Sequence, residues 1–170
     1  MVRKVFFSFH YENDIWRVNQ VRNHWVTKSA IEESGYIDAV DFEKIKKQGQ
    51  ASIERWIDNQ LNGTSVTVVL IGTETASRPY VQYEIKRSLE RGNGLLGVYI
   101  HGLKDRNGYY ALKGQNPFSM NASSIKTYDW VQDNGYDYFS DWVEQAYQDA
   151  QTRNYNNKIF ESGRQYYFNR

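Results

Sequence analysis

Residues Val66 to Ile71 (VTVVLI) are apolar at nearly every position, as a strand covered on both faces should be. Such a strand lies inside a sheet with helices above and below it, so this segment constrains the fold more than any other. It empties into a polar loop, TETASRP, which opens a segment where Val81, Ile85 and Leu89 recur at four-residue spacing. That spacing is the buried stripe of an amphipathic helix. Ser77 stands where an N-cap would and Pro79 falls in the first turn, and the helix should stop near Arg91-Gly92.

Similar units flank this one. Lys4 to His10 (KVFFSFH) reads as a first strand and meets a polar break at Tyr11 to Asp14. Ile15, Val18, Val21, Arg22 and Trp25 then give one face of a helix that fades by Ser29. After a loop containing Gly35, YIDAV (36–40) reads as a second strand, and a lysine-rich loop runs to Gly49. Ile53, Trp56, Ile57 and Leu61 make the next helical face, closed by Asn62-Gly63. GLLGVYIH is a fourth strand, Gly102 to Ser124 an extended loop, and Ile125 to Trp130 a fifth strand. A helix is expected from about Tyr138 to Gln151, bearing Phe139, Trp142, Val143 and Ala146.

Strand and helix alternate five times, which predicts an α/β protein with right-handed crossovers. The fold expected is a flavodoxin-like three-layer sandwich around a central, mostly parallel five-stranded sheet. One domain is expected over 1–150, with 151–170 a C-terminal extension whose structure the pattern does not assign. Loops at the carboxyl ends of the strands should hold the binding site. Three of them are rich in polar and aromatic residues: Phe9 to Asp14, Asp41 to Gly49 and Thr73 to Tyr80.

Composition narrows the chemistry. There is no Cys, which excludes disulfides, thiolate metal sites and Cys nucleophiles. The net charge of +1 gives no global field for nucleic acid. No apolar run approaches the roughly 20 residues needed to cross a bilayer, and no stretch near the start reads as a cleavable signal. A soluble cytoplasmic protein, with neither a membrane nor a nucleic acid as partner, is the expectation. Aromatic residues make up 16% of the chain, more than a core of this size needs, which leaves rings for pockets or interfaces.

His10, His24 and His101 show no metal-ligand spacing, so no metal is expected. Neither a Walker-type nor a dinucleotide Gly-rich loop is present. The loop HYEND lacks the hydroxyl-rich cradle of an FMN site, and Gly72-Thr73 stands where a phospho-receiver would carry Asp. Glu84, beside Ile85 and one turn past Tyr80, lies at the border of the buried stripe. Two readings are open to it: a carboxylate facing the cleft, or a surface residue paired with Arg87 or Ser88.

The segment VFFSFHYEND, followed by an αβ unit and then SVTVVLIGTETASRPYVQYEIKRSLERG, resembles the first strand and third strand-loop-helix of TIR domains. It is closer to the TIR-like ThsB proteins of the bacterial Thoeris antiphage system. The specific element is serine-x-x-aromatic-x-x-x-glutamate, filled by Ser77, Tyr80 and Glu84, with Tyr80 where TIR enzymes usually carry Trp. YDWVQDNGYDYFSDWV is similar to the later part of ThsB-like chains, whereas DFEKIKKQG departs from the usual TIR loop.

The resemblance implies an enzyme that cleaves NAD between nicotinamide and ribose and makes a cyclic ADP-ribose isomer as a defence signal. NAD is then substrate, with no separate cofactor. The implied catalytic residue is Glu84. Phe9, His10 and Phe42 would stack on the nicotinamide or adenine, groups around Thr73 would hold the ribose or diphosphate, and Ser77 and Tyr80 complete the motif. The residues leave a second reading open for two of these: Phe9 as a core residue and His10 as a strand-end polar residue. The implied partners are an effector protein reached through the nucleotide signal and further copies of this chain on activation. The alternatives are a non-catalytic TIR-like interaction module and a nucleotide-binding module without turnover.

Overall fold

The computed structural model describes residues 3–29, 33–34, 44–118 and 124–168. Within them β1 (Val5–Ser8), β2 (Glu33–Ser34), β3 (Val66–Ile71), β4 (Gly94–Tyr99) and β5 (Thr127–Asp129) form one sheet in the order β2-β1-β3-β4-β5. Every pairing is parallel, and this is the strand order of flavodoxin-like doubly wound proteins. β3 is central, and all of its residues are buried.

Alternation along the strands makes the layers. Val5 and Phe7, with Val66, Val68 and Leu70, pack against α1 (Tyr11–Ser29) and α4 (Gly135–Phe168) through Val18, Val21, Trp25, Phe139 and Val143. On the opposite face Phe6 meets Ile53, Ile57 and Leu61 of α2 (Gln50–Leu61). There too Val69 and Ile71 meet Val81 and Ile85 of α3 (Pro79–Glu90). Each fully buried side chain of this size contributes about 1.5–3 kcal/mol, so the pairing of faces sets the layers.

The structure departs from the sequence pattern at several element ends. The ladder of β1 stops at Ser8, and the polar residues Tyr11 to Asp14 form the first turn of α1, closed by the Asp14 amide on the His10 carbonyl at 3.1 Å. Glu12 and Asp14 suit that position because carboxylates favour the positive end of a helix. β2 is Glu33–Ser34, ahead of Gly35. The segment 36–40 lies outside the described residues. α4 does not end at Gln151 but runs on to Phe168, across the boundary expected at 150. Its apolar stripe ends at Ala150, after which Arg153 and Asn154 continue the contact by hydrogen bonds to the Asn93 and Gly92 carbonyls, each 2.9 Å.

The loop after β4 is held by Arg17, whose Nε donates to the Leu103 carbonyl at 2.9 Å and Nη2 to that of Tyr109 at 3.0 Å. A Cβ on Gly72 would stand 2.1 Å from Asp14 Oδ2, so the bare glycine lets the start of α1 close over the end of β3. No described helix is long and apolar enough to cross a membrane.

Candidate functional site

From β1 the chain moves outward to β2 on one side, while β3 lies on the other. The crevice beyond the carboxyl ends of the strands at such a reversal is the binding place of doubly wound sheets. A cavity of about 230 Å³ opens there. Phe6, Phe7, Phe9 and His10 line it from the end of β1, and Tyr11 and Glu12 from the start of α1. Trp56 and Ile57 of α2 close a second side, with Lys46 nearby, and Arg78 to Val81 and Glu84 form the third.

Glu84 reaches the cavity because it precedes buried Ile85 and follows Val81 by three residues, at the edge of the stripe that α3 presses on the sheet. Ser8, fully buried at the end of β1, donates its hydroxyl to Glu84 Oε2. Burial pushes the Glu84 carboxyl up to about 8, and the Ser8 hydrogen bond, which favours the charged form, works against that rise. The residue is half-buried, and this partial exposure also opposes the shift.

The surface pairing open to Glu84 in sequence is not made. Arg87 turns to Asp58 at 2.7 Å and Glu90 at 2.6 Å. The Ser88 hydroxyl donates to the backbone carbonyl of Glu84 at 2.7 Å, leaving the carboxyl to the cavity side.

His10 is 8% exposed, and its Nδ1 is buried without a hydrogen bond, 3.9 Å from Glu74 Oε2. Burial, and then the neighbouring Arg78, hold its pKa below the usual imidazole value. Glu74 accepts from Arg78 Nη2 at 2.9 Å and also from Asn13. Asp14, buried behind this rim, is raised to about 6 by burial, with Arg17 at 3.7 Å opposing the rise.

Of the residues expected from sequence, the cavity brings together Phe9, His10, Tyr80 and Glu84. Phe9 serves both of its readings, since it also packs against the core on the α1 side. Phe42 lies outside the described residues. Thr73 and Ser77 stand outside the cavity lining. The exposed Thr73 hydroxyl donates to the Leu112 carbonyl at 2.8 Å, and that of Ser77 to the Glu74 carbonyl at 2.9 Å. Thr75 is the hydroxyl that turns inward, accepting from the Gly72 amide at 2.8 Å. This folds Thr75–Ser77 into a 3-10 turn and makes Arg78, not Ser77, the N-cap residue of α3, with Pro79 first in the helix as expected.

The pattern did not single out Ser8, Arg78 or Trp56 as cavity residues. Ser8 had a signal: by the period of two it shares a face with Phe6, and a polar residue on a buried face needs a partner.

A parallel doubly wound sheet with the half-buried Glu84 carboxyl in an aromatic crevice at its switch point has the architecture of small α/β proteins that bind ligands at that place. Residues 6–105 match the family described as Thoeris protein ThsB, TIR-like domain. The chain is also similar to "Putative cyclic ADP-D-ribose synthase ThsB1" of Bacillus cereus (strain MSX-D12), 37% identical over 191 residues that cover 84% of this chain and 100% of that protein. The chain belongs to the ThsB TIR-like family.

Proposed function

We propose that this flavodoxin-like, TIR-like protein cleaves NAD between nicotinamide and ribose and closes the ADP-ribose unit into a cyclic isomer that signals in antiphage defence. The observation that carries the reading is Glu84, held by Ser8 in an aromatic cavity and not in a surface ion pair. The name of the 37% identical relative supports the same reaction class.

The chemistry suits a site with one carboxyl. Nicotinamide leaves a pyridinium as a neutral molecule, taking the electron pair of the C–N bond, so no acid need protonate it. The ribosyl cation left behind resembles the transition state of glycosidases. A carboxylate at Glu84 stabilises that charge. Burial keeps Glu84 largely protonated at neutral pH, and a cationic nicotinamide ring entering the cavity favours its ionised form. Phe9, Tyr80 and Trp56 supply apolar walls that exclude water, which favours capture of the cation by a hydroxyl of the same molecule over hydrolysis.

NAD is the substrate in this reading, with no resident cofactor. The product acts on a separate effector protein in the cytoplasm, and assembly of further copies on infection activates turnover. The test is nicotinamide release, followed by chromatography of the products, for wild type beside Glu84→Gln, at low and high protein concentration and with lysate of phage-infected cells. Release should fall at least about 100-fold in the variant. No turnover under any condition would assign the cavity to a non-catalytic module.

A further inference from the structure

We infer that His10 is the base that takes the proton when a hydroxyl of the substrate captures the ribosyl cation, so that it favours ring closure over hydrolysis. This rests on the NAD reading above and assigns a residue to the half of the reaction that follows loss of nicotinamide.

Cleavage and closure make different demands. Nicotinamide departs with the electron pair of the C–N bond and needs no proton. In closure a hydroxyl oxygen forms a bond to the cationic carbon, and its O–H bond breaks with the electron pair staying on oxygen. The proton must pass to a base within reach. Water that captures the cation instead can hand its proton to other waters. A hydroxyl enclosed by Phe9, Tyr80 and Trp56 has only the groups of the cavity.

Among the residues lining the cavity, most are ruled out as that base. Lys46 and Arg78 offer only donors. Glu12 is exposed and stands 3.6 Å from Lys46, while Glu84 is turned to Ser8 and faces the cation. His10 is left. It follows Ser8 by two residues, and its carbonyl accepts the Asp14 amide at 3.1 Å, which seats it at the join of β1 and α1.

The ring is nine-tenths buried, with Nδ1 in the wall, unbonded and 3.9 Å from Glu74 Oε2. An imidazole so turned directs Nε2 away from that wall. Glu74 is itself fixed, by Arg78 Nη2 at 2.9 Å and by Asn13. A carboxylate behind Nδ1 favours the tautomer with Nε2 free and steadies the imidazolium once the proton arrives, when the contact tightens. Charged groups face the ring from the turn before α3 (Glu74), the start of α3 (Arg78) and the first turn of α1 (Glu12), with Lys46 and Glu84 in the same lining. Burial and Arg78 outweigh Glu74 and Glu12, which leaves the ring neutral at neutral pH and able to accept.

The test is the ratio of cyclic to linear ADP-ribose, read by chromatography at equal nicotinamide released, under the condition in which wild type turns over. His10→Gln should lower that ratio at least about tenfold. In wild type the ratio should fall as pH drops below 6.5, because the ring is then protonated before capture, and in His10→Gln it should not change with pH. Glu74→Gln should lower the ratio by a smaller factor and move the fall to lower pH. An unchanged ratio in His10→Gln would overturn the assignment, as would a wild-type ratio that ignores pH. Complete loss of nicotinamide release in His10→Gln would also overturn it, by placing the ring in cleavage or in the fold. Wild type that releases nicotinamide but forms only linear product would overturn the assignment and leave NAD cleavage standing. No release by wild type under any condition would overturn the NAD reading and this inference with it.

Discussion

Ser8 on β1 and Glu84 on α3, separated by 76 residues in the chain, meet in a part-buried hydrogen bond from the Ser8 hydroxyl to Glu84 Oε2. The bond ties the end of an inner strand to the helix covering it and fixes which carboxyl oxygen turns to the protein. It also gives Glu84 a donor that favours its charged form in surroundings that otherwise disfavour it.

Ser8→Ala should therefore act through Glu84. Without the donor the carboxyl rises further, and the midpoint of the pH profile for kcat/KM should move to higher pH. kcat should fall about tenfold with KM little changed, the loss expected for one hydrogen bond of about 1.4 kcal/mol. Steady-state kinetics across pH 6 to 10 makes the check. Lower stability with an unmoved profile would reduce Ser8 to a structural role.

For wild type the same logic sets the pH dependence. In the proposed reaction the free enzyme needs Glu84 ionised, so kcat/KM should rise with pH and level off above about 8. Bound substrate brings a positive charge, so kcat should reach half its maximum at lower pH than kcat/KM does. A kcat/KM profile flat from pH 6 to 9 would remove Glu84 from the chemistry.

The layers were legible because β3 and the stripe Val81, Ile85 and Leu89 are long and strongly patterned. Glu84 was legible only through its motif, since a glutamate beside a buried stripe looks the same whether it faces solvent or a cavity. β2 was not, because two polar residues, Glu33 and Ser34, carry no strand period and are placed by pairing with β1. Three hydroxyls lie between Gly72 and Pro79, and local sequence does not say which turns inward. The structure selects Thr75 by its bond to the Gly72 amide, and Thr73 and Ser77 turn outward in consequence. The helix past Gln151 escaped because the apolar stripe stops at Ala150, while Arg153 and Asn154 keep the contact with polar groups.

Glu84 should also cost stability, and the sign follows from its raised pKa. Below the ordinary carboxyl value of 4.5 both folded and unfolded chains hold the proton, and burial of the neutral acid carries no charge penalty. As pH rises toward about 8 the unfolded chain releases its proton while the folded chain keeps it, so folding stability falls. Above that the penalty is constant. Glu84→Gln cannot ionise and still accepts the Ser8 hydrogen bond. Urea unfolding should therefore show a gap in favour of the variant that opens between pH 5 and 8 and reaches on the order of 3 kcal/mol. An equal gap at both pH values would mean that the carboxyl ionises as freely in the fold as in the unfolded chain.

Gly72→Ala tests how the cavity mouth is held together. The new methyl would stand 2.1 Å from Asp14 Oδ2, inside any tolerable contact, and the carboxyl is already buried against the sheet end with Oδ2 unpartnered. Relief requires the first turn of α1 to lift, and that turn begins at Tyr11, directly after His10. Loss of about 1–3 kcal/mol, the usual cost of overpacking, is expected in urea unfolding. Weaker NAD binding should accompany it, because Tyr11, Glu12 and His10 would move together away from Arg78 and α3. A paired Asp14→Ala removes the obstructing carboxyl, so the double variant should recover most of the binding lost in Gly72→Ala. Failure to recover would mean that Gly72 is required by the turn to Thr75 and not by the approach of α1.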